Sequence, residues 1–282
     1  MVNIIEFKNK IKSVEEEYDL NHYEVLQRFM FERILERISI SKYNSNFILK
    51  GGLLLSAIFG INERSTKDID TTIIGIDISK TEMVKILNEI LNIDLNDGTT
   101  FNIVNITDIR EESEYGGNKY NIIGKIENIK VQLEIDISTG DKVTPREMKY
   151  KYQSIFENKS IIINCYNLET ILAEKLETIL RRGKFNSRMK DYYDVYYILN
   201  NLYDDIDILI LNNAIKNTFN KRDSIKYLND YKEIILSIKN GSIINNLWNA
   251  YSSKYKYACN IKFSNILETI ENILDDINLK MV

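Results

Sequence analysis

Two aspartates one residue apart are the residues of this 282-residue chain best suited to chemistry. Asp68 and Asp70 lead into the β-branched run Thr71–Ile74, which predicts a strand over 68–76. Alternate side chains of a strand share a face, so both carboxylates are predicted to point to one spot. Paired carboxylates are costly unless a cation lies between them. Mg²⁺, held by one or two carboxylates together with substrate phosphates, would satisfy that need.

A glycine pair precedes the aspartates. Gly51 and Gly52 follow the apolar run 47–49 and open a helix-length apolar segment, 53–60. Glycine allows backbone N–H groups to approach a phosphate closely, and a helix N-terminus favours negative charge. The alternative is an ordinary turn before an edge strand with solvated acids. The order of these features, with the polar stretch 64–66 between them, favours a site for phosphate and metal.

Composition limits the classes of function. A hydrophobic fraction of 44% and a charged fraction of 28% are typical of a globular protein with one large or two medium domains. The net charge of −4 provides no general basic field, so contact with RNA would require a local patch. With His22 as the single histidine, a Ser-His-Asp or Cys-His mechanism has little to work with, and His22 is expected to have a surface or packing role. Zinc chemistry has no ligand set either.

The cysteines and the N-terminus predict the compartment. Cys165 and Cys259 form neither a disulfide framework nor a metal motif, and each is predicted to be a core residue in a reducing compartment. The N-terminus lacks a signal-peptide pattern, and no apolar run approaches the roughly 20 residues that span a bilayer. We therefore expect a cytoplasmic protein without membrane contact, and a monomer.

Periodicity predicts the remaining elements. Asn21 and Ser79 are predicted N-caps, and Glu82 completes a capping box with Ser79. Further strands are expected over 101–106, 120–126 (after a turn at 115–118) and 130–138, and helices over 21–40, 79–93, 167–182, 187–202, 206–219, 224–239, 243–257 and 262–279.

The strand over 130–138 offers a third acid. Its polar residues stand at even positions, so Glu134 and Asp136 project from one face. That face is either solvated or directed toward the aspartate pair.

One lysine lies within the apolar stripe of the helix over 167–182. Lys175 must snorkel, pair with an acid or point into a cavity. Asp191 and Asp194 share a side of the following helix, so Lys175 either forms an ion pair that joins the two helices or binds a triphosphate with an aspartate orienting it.

The stretch 181–190 carries five basic residues and no acid. It is either a solvated loop or a contact for phosphates or an RNA backbone.

Three separated stretches within residues 20–200 resemble one family. They are KGG followed by RSTKDID (residues 50–52 and 64–70), STGD after Asp136, and AEKLETILRRGKFNSRMKDYYDVYYIL (residues 173–199). They are similar to motifs of the AbiEii/AbiGii toxin family of bacterial nucleotidyltransferases, within the DNA polymerase β-like superfamily.

The resemblance implies an α+β fold. A polymerase β-like nucleotidyltransferase mixed sheet with flanking helices would be followed by a helical C-terminal domain. The corresponding domains would be residues 1–165, nucleotidyltransferase-like, and residues 166–282, helical and contributing the lysine and aspartate motifs. The implied reaction transfers NMP from an NTP to an acceptor, with pyrophosphate leaving.

The resemblance also implies roles for individual residues. Two Mg²⁺ ions, or Mn²⁺ in their place, would be held by Asp68, Asp70 and Asp136, with Glu134 as the alternative to Asp136. Asp136 would also position or deprotonate the attacking hydroxyl. The implied catalytic residues are Asp68, Asp70, Asp136, Lys175 and Asp191, whereas Asp194 would be structural. The implied nucleotide-binding residues are Lys50, Gly51, Gly52, Arg64, Ser65, Thr66 and Lys175.

One departure from the superfamily pattern concerns the glycine pair. Many polymerase β-like enzymes have Gly-Ser where this chain has Gly51-Gly52, and the serine hydroxyl contacts phosphate. The backbone, Ser65 or Thr66 would have to replace that hydroxyl.

Family membership would imply a toxin of a bacterial toxin–antitoxin or abortive phage infection system. Its partners would be a cognate antitoxin encoded nearby and an RNA acceptor, expected to be tRNA. Two alternatives stay open: a phosphotransferase that uses the same metal site on a protein or small molecule, and a non-catalytic binding module.

Overall fold

The computed structural model describes residues 4–76, 79–109 and 117–279, which form two units. The first unit comprises Met1–Asp141 and Glu147–Cys165, and the second comprises Lys142–Arg146 and Tyr166–Val282. The first unit contains a seven-stranded sheet, and the second consists of helices.

The sheet of the first unit is mixed. Its order is β3-β4-β5-β2-β1-β7-β6. The β2–β5 and β1–β7 pairs are parallel, and the other neighbours are antiparallel. The strands are β1 Phe47–Lys50, β2 Ile69–Ile73, β3 Thr99–Asp108, β4 Gly117–Ile126, β5 Ile129–Thr139, β6 Met148–Gln153 and β7 Ser160–Cys165.

Four helices accompany this sheet. They are α1 Ile4–Tyr18, α2 His22–Ile40, α3 Gly51–Phe59 and α4 Lys80–Leu91. The predicted caps are confirmed, because Asn21 accepts a hydrogen bond from the Glu24 N–H at 3.0 Å and Ser79 forms a capping box with Glu82. Helix α2 packs against β5 and β7, which fixes it to the strands on both sides of the β2–β1 pair.

Helix α2 also buries charged side chains. Arg37, 1% exposed, donates two hydrogen bonds to Asp97, at 3.0 and 3.1 Å. Burial raises the pKa of the Asp97 carboxyl, but hydrogen bonds from Arg37 and Thr99 outweigh burial and hold that pKa below its usual range. This pair ties α2 to the loop before β3.

The second unit contains seven helices in the described part of the chain. Its core includes Trp248, which is 1% exposed and donates a hydrogen bond to the Ile261 carbonyl at 3.0 Å. None of the helices that the structure describes is long and apolar enough to cross a membrane. The helices are α5 Leu168–Arg182, α6 Met189–Asn201, α7 Ile208–Lys221, α8 Ile225–Asn229, α9 Tyr231–Lys239, α10 Ser242–Lys254 and α11 Phe263–Leu279.

The α+β class with a mixed sheet and a helical C-terminal part is confirmed. Helix α1 and strands β6 and β7 were not predicted. The predicted helix over 224–239 is divided into α8 and α9 at Asp230. The predicted turn at 115–118 begins outside the described residues.

The prediction that both cysteines are core residues was wrong for one of them. Cys165 is buried in β7, but Cys259 is exposed. Cys259 ends the short 3-10 turn Lys256–Ala258 after α10, and turns lie at the surface because their backbone groups need water.

Candidate functional site

Strand pairing brings three aspartates together. In the parallel β2–β5 pair, Asp70 is the direct partner of Asp136, and Asp68 immediately precedes β2. One carboxylate oxygen from each of the three residues lies within 4.8 Å of the others. Asp68 and Asp70 therefore converge as predicted from their alternation, and Asp136 joins them from the neighbouring strand.

The electrostatics of Asp136 suit a cation. Its buried Oδ1 accepts no hydrogen bond, and Lys119 Nζ lies 3.5 Å from it. Burial and the negative charges of Asp70 and Asp68 raise the pKa of Asp136 to about 6, although Lys119 opposes the rise. A cluster of oxygen ligands with an unsatisfied buried acceptor fits a divalent cation.

The alternative third carboxylate, Glu134, is engaged elsewhere. Its Oε2 lies 2.6 Å from Lys119 Nζ, and it is not part of the three-aspartate cluster. Lys119 was not predicted to belong to the site. It stands on β4 directly opposite Asp136, a relationship that depends on the register of β4 and β5.

The glycine pair forms the start of α3 and contacts the cluster. Gly51 has φ of +65°, and a Cβ added there would lie 1.9 Å from Asp70 Oδ2. The Gly52 N–H donates a hydrogen bond to the same oxygen at 3.2 Å. Only glycine permits both the left-handed backbone and this approach at position 51.

Thr66 fills the space beside Gly52. A Cβ added to Gly52 would lie 2.6 Å from Thr66 Oγ1 and 3.5 Å from Arg64 Nη1. The Thr66 hydroxyl also lies 3.3 Å from Asp68 Oδ1, within hydrogen-bond distance. A threonine hydroxyl thus occupies the neighbourhood where the superfamily pattern has a serine.

The remaining predicted nucleotide-binding residues of the first unit lie around α3. Arg64 is 4% exposed and donates a hydrogen bond to the Ser65 carbonyl. Lys50 Nζ lies 2.5 Å from Asp141 Oδ2, and the Ser138 hydroxyl donates to that same oxygen at 2.5 Å. Asp141 was not predicted as a partner of Lys50, although it ends the STGD sequence quoted above.

The second unit holds a separate buried charge cluster. Lys175 Nζ lies 2.8 Å from Asp191 Oδ1 and 2.7 Å from Asp194 Oδ2, so the ion pair with the following helix forms with both acids. Arg188 Nε lies 2.7 Å from the other oxygen of Asp191. Burial raises the pKa of Asp191, but Lys175 and Arg188 outweigh burial and hold it well below its usual range.

Comparison with known proteins identifies a family. The family model described as nucleotidyl transferase AbiEii toxin, type IV TA system, matches residues 33–269. No curated protein matches the chain.

Two solved structures from Helicobacter pylori are similar to the chain. One, described as a candidate nucleotidyltransferase, is 15% identical, with a TM-score of 0.48 and coverage of 93% of this chain and 97% of the other. The second, JHP933, is 13% identical, with a TM-score of 0.47 and coverage of 93% and 94%.

Proposed function

The chain belongs to the AbiEii family of nucleotidyltransferase toxins, and we propose that it transfers NMP from an NTP to RNA, with tRNA as the acceptor and Mg²⁺ as the metal. The family is a type IV toxin–antitoxin family, which implies an antitoxin partner, an NTP substrate and a divalent metal. Membership supports the enzyme hypothesis over the phosphotransferase and the non-catalytic module.

The observation that carries the proposal is the three-aspartate cluster. Asp68, Asp70 and Asp136 place oxygens within 4.8 Å of one another beside the first residues of α3. A divalent cation held there would neutralise charge on a triphosphate during in-line displacement. We propose Mg²⁺ because carboxylate oxygens and substrate phosphates are its usual ligands.

The start of α3 is the proposed phosphate site. The first N–H groups of a helix lack partners within that helix and favour an anion. The Gly52 N–H donates to Asp70 Oδ2, so the phosphate is proposed to bind next to this contact. Arg64, Ser65 and Lys50 are the proposed additional contacts. Thr66 is proposed to supply the hydroxyl that serine provides in the superfamily pattern, since it lies next to Gly52.

We propose that Asp136 positions or deprotonates the attacking hydroxyl of the acceptor. Its Oδ1 accepts no hydrogen bond, with Lys119 Nζ 3.5 Å away, so an incoming O–H group can donate to it. Asp68 and Asp70 would serve as the remaining metal ligands.

Lys175 and Asp191 are proposed as catalytic contributions of the helical domain, residues 166–282, with Asp194 as a structural partner. The support is a lysine 12% exposed between two buried acids, within the sequence that resembles the family motif. A structural and a catalytic role of Lys175 predict different behaviour of the single variant Lys175→Met and of the double variant that adds Asp194→Asn.

RNA as acceptor is supported by the basic stretch 181–190. We further propose a monomer that acts in the cytoplasm, where NTPs and tRNA are available, and a role in phage defence.

Product labelling tests the proposal. Purified protein is incubated with total tRNA, Mg²⁺ and each α-³²P-labelled NTP in turn. We expect label on tRNA with the wild type, and at least about 100-fold less with Asp68→Asn or Asp136→Asn. Glu134→Gln is the matched control, because Glu134 shares the strand face of Asp136 but is not part of the cluster.

Three results would contradict the proposal. Label on protein alone, or transfer from γ-³²P-NTP, would favour the phosphotransferase. Equal labelling by Asp136→Asn and wild type would show that Asp136 takes no part in the reaction. Transfer that persists in EDTA would exclude the divalent metal.

A further inference from the structure

Phe185 differs from every other phenylalanine of the chain. The sequence contains ten phenylalanines, of which nine are buried, whereas Phe185 is 80% exposed. It is also the most exposed of the large hydrophobic side chains in the described residues. Exposure of an aromatic ring loses the free energy that burial would provide, so a binding role would account for its position.

The backbone around Phe185 is anchored. Phe185 ends the 3-10 turn Gly183–Phe185, which follows α5 and packs against α9 and α10. Asn186 is fully buried, its N–H donates to the Gly183 carbonyl at 3.0 Å, and its side-chain oxygen accepts from the Arg188 N–H at 3.0 Å. Met189 is 5% exposed. The turn and the buried Asn186 that follows it thus fix the backbone at Phe185, while the Phe185 side chain stays in solvent.

The surroundings of Phe185 are basic. Lys184 Nζ lies over its ring, 5.3 Å from the centroid, and the Arg188 side chain is 58% exposed. No acid occurs from 178 to 190, and none occurs from 234 to 267, a range that includes α10 and most of α9. The acid-free segments meet where the turn packs against these two helices.

We propose that Phe185 stacks on an unpaired base of the RNA acceptor, while Lys184 and Arg188 contact neighbouring phosphates. An exposed aromatic ring within a basic surface is the usual way in which proteins bind single-stranded RNA. This inference rests on the proposed function, because it takes the acceptor to be RNA. It adds a docking surface on the helical unit and names the class of substrate feature, an unstacked base.

RNA accounts for this surface better than a protein partner does. Five basic residues without an acid in 181–190 are complementary to a polyanion, whereas the centre of a protein interface is depleted in charge. Stacking needs a flat ring, but burial in a protein interface needs only apolar area. Leucine and tryptophan at position 185 therefore separate the two hypotheses.

The test measures RNA binding without NTP. Fluorescence anisotropy follows a single-stranded RNA of about 12 nucleotides and the same RNA annealed to its complement, at several salt concentrations. We expect Phe185→Ala and Phe185→Leu to weaken single-strand binding about 5- to 100-fold without changing its salt dependence. Phe185→Trp should restore binding, and the duplex should bind all these variants equally.

Two further variants serve as controls. Lys184→Ala should reduce the slope of log affinity against log salt concentration by about 1, as expected for the loss of one phosphate contact. Ile243→Ala removes an apolar side chain of α10 that is 69% exposed, and it should leave RNA binding unchanged. Thermal unfolding of each variant verifies that it is folded, as expected for substitutions of exposed residues.

Equal single-strand binding by wild type and Phe185→Ala would overturn the inference. Single-strand binding by Phe185→Leu at the wild-type affinity would also overturn it. The same holds if sedimentation shows self-association that depends on Phe185 while the affinity for RNA does not depend on it. Failure of this inference can be distinguished from failure of the proposed function. If tRNA is labelled but Phe185→Ala binds RNA as the wild type does, only this inference fails. If RNA binding depends on Phe185 but no RNA is labelled, only the proposed transfer reaction fails.

Discussion

The Asp70 carboxylate occupies the space that a side chain at Gly51 would need. A Cβ on Gly51 would lie 1.9 Å from Asp70 Oδ2 and 2.6 Å from its Cβ, and the backbone of Gly51 is left-handed, with φ of +65°. The start of α3 and the aspartate cluster are therefore in direct contact, so a change in either displaces the other.

Gly51→Ala is expected to impair both stability and transfer. A left-handed alanine costs about 1–2 kcal/mol, and the added methyl must displace the Asp70 carboxylate, which should reduce transfer at least about 100-fold. Urea unfolding and the rate of label transfer measure the two effects. Gly75→Ala is the matched control, since Gly75 has φ of +73° but its Cβ would meet only Asn46 Nδ2, at 3.6 Å. Equal behaviour of the two variants would contradict the steric argument.

Asp70→Asn should weaken metal binding without reducing the stability of the metal-free protein. In EDTA we expect its free energy of unfolding to equal or exceed that of wild type by up to about 1 kcal/mol, because one of three mutually repelling charges is removed. Mg²⁺ at 100 times its dissociation constant should stabilise the wild type by roughly 2.7 kcal/mol and the variant far less. Thermal unfolding with and without metal measures this, and equal stabilisation of both proteins would show that Asp70 is not a ligand.

Lys175→Met should cost about 3–5 kcal/mol of stability, because Asp191 and Asp194 then lack a buried cation. Adding Asp194→Asn should recover much of that loss, since Asp191 keeps its contact with Arg188 at 2.7 Å. We predict that label transfer stays low in the stable double variant. Urea unfolding and transfer rates are compared for both variants, and transfer that returns together with stability would assign Lys175 a purely structural role.

Asp97→Asn should reveal a pH-dependent contribution of the Arg37 pair. The folded-state pKa of Asp97 is lowered, so its contribution to stability is present above the unfolded pKa of about 3.9 and is lost as pH falls through the folded pKa. We expect a loss of about 2 kcal/mol at pH 7, between the values for exposed and for fully buried pairs, because Asp97 is partly exposed. Unfolding by urea at pH 7 and near pH 3 measures the difference, which should shrink at the acidic pH. A constant difference would exclude the ionised pair as its source.

The sequence predicts the elements whose periodicity is strong. Strict alternation in β5 placed Asp136 and Glu134 on one face, and the apolar stripe of α5 placed Lys175 among buried residues. Neither pattern determined what the side chain contacts. Helix α1 and strands β6 and β7 were missed, since α1 buries only Phe7, Ile11 and Val14 and β6 is an edge strand that is mostly exposed. An exposed edge strand and a helix with few buried residues both carry a weak hydrophobic pattern.

Contacts of the candidate site that cross between strands or loops were less predictable. Lys119 meets Asp136 only because β4 and β5 pair in one register, and Thr66 meets Gly52 through the loop before β2. Local sequence carries no signal for such pairs, whereas Asp68 and Asp70 are two positions apart, the spacing that places side chains on one face of an extended chain.

The pairing of Asp70 with Asp136 across β2 and β5 has a consequence for synthesis of the protein. A nascent chain or a prematurely terminated product that ends before β5 lacks Asp136, however well its first helices and strands fold. The acidic cluster is completed only after more than half of the first unit has emerged from the ribosome and β5 has added to the sheet. We predict that translation products ending before β5 transfer no nucleotide.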